Sequence, residues 1–311
     1  MSQRLFPYTI SLAFIYVLAF SPQIHAQSPL NSARCSSPLS LTSDDQAELI
    51  GKKVRAKVIV DSVVFDGPTS LPSSIREELI ADLKKHAALS SGSEWLEEWN
   101  EVAVRGAWMN EGFFKMTSRP EAKIVSSDAT EQHVSVTVHV DEGMQYRLKD
   151  IRFRKSSDGW SNGSEQLAFP PEELRKRVPL HEGELFRANQ IREGLDSLKK
   201  LYGSYGYINF VTVPVTEVDD RNGMISLILE LDEGEQFRIR GVEVQGLDPL
   251  TKGALKWRLQ PGDLFNYELF KDFFTDNKGI LPSGASPVNA ELHKDEKNGT
   301  VDIRFVLPSC P

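Results

Sequence analysis

Asp232-Glu-Gly-Glu-Gln-Phe-Arg-Ile-Arg-Gly-Val-Glu-Val-Gln-Gly246 closes one structural unit and opens the next. Just before it, Ile225, Leu227, Leu229 and Leu231 alternate with period two, the mark of a half-buried strand. After the acidic turn a second strand begins with Phe237 and Ile239, slips by one residue, and resumes at Val242 and Val244. A slip of one residue sends side chains to the opposite face, so the strand needs a bulge, and Gly241 marks the place.

The same joint occurs earlier in the chain. Val134, Val136, Val138 and Val140 lead into Asp141-Glu-Gly143, and then Tyr146 and Leu148 slip to Ile151 and Phe153. A third opening strand, Val58 and Val60 slipping to Val63 and Phe65, lacks the acidic prelude. These openings, at Val58, Tyr146 and Phe237, are 88 and 91 residues apart, so the chain carries a repeat of roughly ninety residues.

Each repeat has the same internal order. In the first, Ser74 and Glu77 read as a capping box before Ile75, Leu79 and Leu83, and Trp95, Trp99 and Val102 form the stripe of a second helix. In the second, Pro170-Pro-Glu-Glu starts one helix. The apolar plug His181-Glu-Gly-Glu-Leu-Phe186 precedes another, with its stripe at Ile191, Leu195, Leu198 and Tyr202. The third echoes this with Gln260-Pro-Gly-Asp-Leu-Phe265, then Tyr267, Phe270, Phe273 and Phe274. A glycine expected to end each second helix in the left-handed conformation is followed eight residues later by a proline: Gly112 and Pro120, Gly206 and Pro214, Gly279 and Pro287. A proline cannot complete a central ladder, so the strand after these helices is an edge and the closing strand lies further inside.

The unit is therefore strand, helix, helix, strand, strand, an α+β fold in which two helices cover one face of a three-stranded mixed sheet. This order, the Asp-Glu-Gly turn followed by an aromatic, the Gly-Glu-Leu-Phe plug and Tyr205-Gly206-Tyr207 resemble the polypeptide-transport-associated (POTRA) domains over about Val54 to Pro308. The expected division is a signal peptide at 1–26, a leader at 27–53, and POTRA-like domains at 54–143, 144–234 and 235–309.

Lys plus Arg number 36 against 44 Asp plus Glu, a net charge of −8 with no basic cluster, which argues against nucleic acid or an anionic lipid surface as main partner. Arg4, the 13-residue apolar run Tyr8 to Phe20 and Ile24-His25-Ala26 have the form of an export signal cleaved after Ala26. The run is shorter than the roughly 20 residues of a spanning helix, and retention as an anchor is the alternative. The expectation is an exported, periplasmic chain that meets the membrane only through others. Cys35 and Cys310 flank the repeats and either pair, since the tether from Cys35 to Val54 could reach about 60 Å, or stay as free or intermolecular thiols.

No catalytic constellation, metal site or cofactor motif is expected. His133 and His139 share a strand face but lie about 20 Å apart by strand rise, too far to chelate one ion. The joint residues Asp141, Glu142 and Gly143 with Asp232, Glu233 and Gly234 read as structural turns. Asn162-Gly-Ser and Asn298-Gly-Thr are either glycosylation acceptors or turns. What remains is binding through backbone: the edge strand carrying Asn209, Val211, Thr212, Val213, Val215 and Thr216 could take up an extended polypeptide by strand addition. Protection of that edge by proline and packing is the alternative.

The resemblance implies domains that precede an outer-membrane barrel and receive unfolded barrel substrates or accessory lipoproteins. Since the sequence leaves no room for a barrel after the third repeat, the expectation is a non-enzymatic scaffold or chaperone beside an outer-membrane β-barrel protein encoded separately. An envelope docking protein using the helical faces is the other reading.

Overall fold

A computed structural model describes residues 9–10, 56–67, 69–89, 95–128, 130–156 and 166–307. Cys35 and Cys310, the proposed cleavage site and most of the signal and leader lie outside the described residues.

After the two-residue strand β1 (Thr9–Ile10), the first repeat forms β2 (Lys57–Asp66), α1 (Ser73–Leu89), α2 (Trp95–Trp99), a π turn (Asn100–Val104), α3 (Arg105–Asn110), β3 (Thr117–Ser127) and β4 (Glu131–Asp141). The second forms β5 (Arg147–Lys155), α4 (Pro171–Arg175), α5 (Ala188–Ser204), β6 (Val211–Asp219) and β7 (Met224–Asp232). The third forms β8 (Arg238–Gln245), α6 (Pro249–Ala254), α7 (Tyr267–Asp276), a 3-10 turn (Pro287–Asn289), β9 (Ala290–Asp295) and β10 (Thr300–Val306).

Three mixed sheets result, ordered β2-β4-β3, β5-β7-β6 with β1 added outside β6, and β8-β10-β9. In each, the closing strand is central, parallel to the opening strand and antiparallel to the strand between. The inner phase of each closing strand is buried: Val134 to Val140, Ile225 to Leu231, and Val301, Ile303 and Phe305. Helical stripes cover that side, with Leu79 and Leu83, then Ile191, Leu198 and Tyr202, then Phe270, Phe273 and Phe274.

The slips in the opening strands are bulges. Pairing skips Asp61, Lys149 and Arg240, one residue in each repeat. In the third the extra residue is Arg240, and Gly241 beside it stays paired with Asp302.

Four expectations change. Helix α1 starts at Ser73, so Ser74 lies in its first turn rather than in front of it. Val102 is exposed, because the π turn adds a residue to one helical turn. The buried stripe runs Trp95, Trp99, Val104, Trp108, with a step of five across the π turn. Gly279 does not have the left-handed conformation of Gly112 and Gly206. The caps of α3, α5 and α7 are Glu111, Tyr205 and Asn277, so the counterpart of the two helix-ending glycines is Lys278, one residue before Gly279. Pro287 accordingly begins a 3-10 turn, whereas Pro120 and Pro214 pair within their strands.

Candidate functional site

Strand β6 lies outside the central β7, as its proline requires, and among the described residues only the two-residue β1 pairs beyond it. Val218, Thr216, Pro214 and Thr212 stand opposite Ile225, Leu227, Leu229 and Leu231 and so face the helices. The hydroxyls of Thr212 and Thr216 are shielded from solvent with no hydrogen-bond partner among the described residues. Val211, Val213 and Val215 face the uncovered side of the sheet, and Val211 is 43% exposed. Residues Thr216 and Glu217 pair on their outer side with Ile10 and Thr9. Asn209 precedes the strand and belongs to the joint instead. Its side-chain oxygen accepts from Lys294 Nζ, and its amide donates to Glu296 at 3.4 Å.

The uncovered face carries a ladder of charges across three strands. Arg152 on β5 reaches over Ile228 to Glu217 on β6 at 2.5 Å, and Arg154 pairs with Glu230. Arg240 and Arg304 play this part in the third sheet, pairing with Asp302 and with Glu243. The first sheet uses histidines: His133 Nδ1 lies 2.8 Å from Asp61 and His139 Nδ1 2.8 Å from Asp66. The Asp61 carboxylate beside it pushes the pKa of His133 up.

The opening strands have a partly covered outer edge. In the second repeat the plug bonds to β5 like a short extra strand, through Leu148 N to Glu184 O, Gly183 N to Leu148 O and Phe186 N to Tyr146 O. The third repeat repeats this on Ile239, with Asp263 and Gly262, and on Phe237, with Phe265.

The joints repeat in equal detail. Tyr146 N donates to Gly112 O at 2.8 Å and Phe237 N to Gly206 O at 2.9 Å, so each helix-ending glycine receives the first residues of the next unit. A Cβ on Gly206 would stand 2.8 Å from Phe237 O, which, with its φ of +88°, excludes other residues without a shift. Gln145 and Gln236 donate to the carbonyls of Glu111 and Tyr205. Two residues past each glycine, Phe114 packs into the second core and Ile208 against the third. A polar lock then follows. Lys115 Nζ contacts both oxygens of Asp220 at 2.7 and 2.8 Å, and Tyr146 OH donates to the same carboxylate at 2.6 Å. Lys115 and then Tyr146 hold the Asp220 carboxyl below the usual carboxylate range, while burial and Asp220 push the Tyr146 phenol up.

Within the joint motif the second acid does the structural task. Among the described residues, Asp141 and Asp232 accept only the N–H of Gly143 and Gly234, each at 3.2 Å. Glu142 and Glu233 are 6% and 4% exposed. Glu142 accepts from Ser70 N, from Ser70 Oγ at 2.9 Å and from Trp108 Nε1 at 2.8 Å. Glu233 accepts from Ala168 N and Tyr202 OH, both at 2.7 Å, with Lys155 Nζ at 3.6 Å. Burial and Glu233 together push the Tyr202 phenol up. Each carboxylate thus ties its central strand to the second helix and to the loop after the opening strand. A sequence signal for this existed: Glu142 and Glu233 continue the buried phase of Val140 and Leu231, and each faces a helical donor four residues before the helix-ending glycine.

This geometry defines a tandem array of POTRA-type domains. Residues 162–234 match the POTRA family, described as surface antigen variable number repeat. The chain has the fold of domains 3–5 of BamA from Haemophilus influenzae, with 22% identity, a TM-score of 0.54, and coverage of 81% of this chain and 96% of that one. A curated protein of Treponema pallidum (strain Nichols), provisionally described as an outer membrane protein assembly factor, is 23% identical over 223 residues, 70% of this chain. The chain spans about a quarter of that relative's length, 25%. Among the described residues no helix is long and apolar enough to cross a membrane, and no cluster of three His, Cys, Asp or Glu side chains is placed to hold a metal ion.

Proposed function

We propose that this chain is a non-enzymatic periplasmic scaffold in outer-membrane protein assembly that binds extended polypeptide segments by strand addition at its edge strands. The observation that carries this reading is the order of the three sheets. In two of them the strand after the helices, β3 or β9, lies outermost, and in the second β6 meets beyond it, among the described residues, only Thr9 and Ile10, so outward N–H and C=O groups along these strands are open to a further strand. The fold it shares with BamA domains and the described role of the Treponema relative support the setting.

Thr9 and Ile10, which lie against β6, fall inside the segment expected to leave with the signal, so the exported chain would present that edge free. The positions that read the incoming strand are Val211, Val213 and Val215 on the uncovered side. Thr212 and Thr216 contribute backbone alone.

A photoreactive residue at Val211, with Lys199 on the exposed side of α5 as control, tests the reading against a purified outer-membrane barrel protein diluted from urea. Crosslinks from Val211 that the Lys199 probe does not give are expected. Equal capture from both positions, or none from Val211, overturns strand addition at this edge.

A further inference from the structure

The two joints differ on their helical side, although their residues correspond one to one. At the first, Arg187, the residue after the plug phenylalanine Phe186, reaches back to Asn110 O at 3.1 Å and to Glu111 at 3.2 Å, closing the space beside the helix end. At the second, the residue after Phe265 is Asn266. Its shorter side chain donates to Ser204 O at 3.2 Å and goes no further. Tyr205, which stands where Glu111 stands, is left 48% exposed. A cleft of about 430 Å³ opens there, between α4, the end of α5 and the start of α7.

Phe169, Leu201 and Tyr205 give the cleft apolar walls, the rings of Phe169 and Tyr205 meeting edge to face at 5.1 Å. Three of its four charged residues are already in ion pairs. Arg177 is paired with Glu173 at 2.9 Å and Glu268 with Lys271 at 2.9 Å. Lys200 also lines the cleft and forms no ion pair among the described residues. The cleft therefore offers an apolar wall beside one cation that forms no ion pair among the described residues.

We propose that this cleft docks a short segment of a partner protein in which an aromatic or large aliphatic residue stands next to a carboxylate. The apolar side chain packs against the rings of Phe169 and Tyr205, and the carboxylate meets Lys200. A peptide supplies both side by side. A lipid surface is the poorer match, because recruitment to anionic membranes takes clusters of about four to eight basic residues and the cleft has one spare cation. The site touches two domains, so an occupant would bridge them. It lies on the helical side and is independent of the edge strands proposed above.

The test uses fluorescein-labelled Gly/Ser peptides of equal length carrying Phe-Glu-Asp, Phe-Lys-Lys or Ala-Glu-Asp, titrated with the intact chain and followed by anisotropy. Phe-Glu-Asp is expected to bind best, and K200E to weaken it by about tenfold, a loss of about 1.4 kcal/mol. K199E, which changes net charge equally but lies outside the cleft, is expected to leave binding unchanged, and Y205S to remove the preference for Phe over Ala. Both Lys199 and Lys200 are exposed, so thermal unfolding should be the same in the two lysine variants. Equal binding of Phe-Lys-Lys, equal damage by K199E, or no binding of any peptide overturns the proposal. So does Lys200-dependent binding to anionic vesicles alone, which would assign the cleft to lipid. Tyr205-dependent self-association in sedimentation, without peptide binding, would assign it to a second copy.

Discussion

Glu233 concentrates much of the second domain's polar structure in one carboxylate. Removing it leaves the Tyr202 hydroxyl, the Ala168 N–H and the Lys155 ammonium short of an acceptor in a buried place, and unsatisfied buried groups of this kind are costly. E233A is expected to lower stability by about 2–4 kcal/mol in urea unfolding, and E233Q by less because one acceptor oxygen survives. D232A should cost far less, since among the described residues Asp232 accepts only from Gly234 N in the same turn. Equal effects of E233A and D232A would refute this assignment. The motif is visible in the sequence as a joint whose acids read as structural turn residues. The separation between them follows from strand phase, which was already on view in Leu229 and Leu231. The His133 ladder yields a second residue-scale expectation. Its folded pKa is raised, chiefly by the hydrogen bond to Asp61, with Glu131 and Asp128 adding to it. The stabilisation it gives is therefore full below its ordinary value of 6.5 and lost as pH rises through the raised one. The first domain should melt lower at pH 8 than at pH 6, and H133Q should reduce that difference. An unchanged pH slope in H133Q would show that the ladder does not couple to folding.

At the scale of elements, strands were easier to read than helix ends. Alternation in β4 and β7 and the bulges in β2, β5 and β8 were legible because a period of two leaves no freedom in which face is buried. The π turn was not. A one-residue addition inside a helix leaves no composition signal, and it surfaces only as the step of five from Trp99 to Val104. The glycine-to-proline spacing misled in the third repeat for a similar reason. Equal spacing there is offset by one residue from the cap at Asn277, so Gly279 takes no left-handed turn and Pro287 enters no ladder. Alanine substitution separates the two kinds of glycine. At Gly206 it must adopt φ near +88° with its Cβ 2.8 Å from Phe237 O. G206A should cost about 1–3 kcal/mol and loosen the joint to the third domain. G279A, with nothing within 4 Å of the added methyl, should change stability by no more than about 0.5 kcal/mol. Thermal unfolding of both variants measures the contrast, and a G279A effect as large as that of G206A would refute the cap assignment.

At the scale of the whole molecule, the joints decide whether three domains act as one body. Each is made of elements in fixed sequence positions: a glycine carbonyl, a glutamine reaching back, an apolar residue two past the glycine, and a polar lock three past it. The first three could be anticipated from motifs that recur in register. The lock could not, because Lys115 and Asp220 are 105 residues apart and the second joint replaces the pair with Asn209, Lys294 and Glu296. A test of the lock should act on geometry rather than folding, since Lys115 and Asp220 sit at the surface of the contact. With spin labels at Lys84 and Lys199, on exposed helical positions of the first and second domains, the distance distribution should broaden in K115E, where two carboxylates face each other. It should narrow again in K115E with D220K, incompletely, because Tyr146 OH loses its carboxylate acceptor in the swapped pair. Acid should mimic the single variant. The Asp220 pKa is depressed by Lys115 and Tyr146, so its contribution is present above the ordinary carboxyl value of 3.8 and is lost as pH falls through the lower folded value. A distribution that is equally narrow in all three proteins would mean that Phe114 and the backbone bonds at Gly112 already fix the joint, and that the ion pair records the arrangement without setting it.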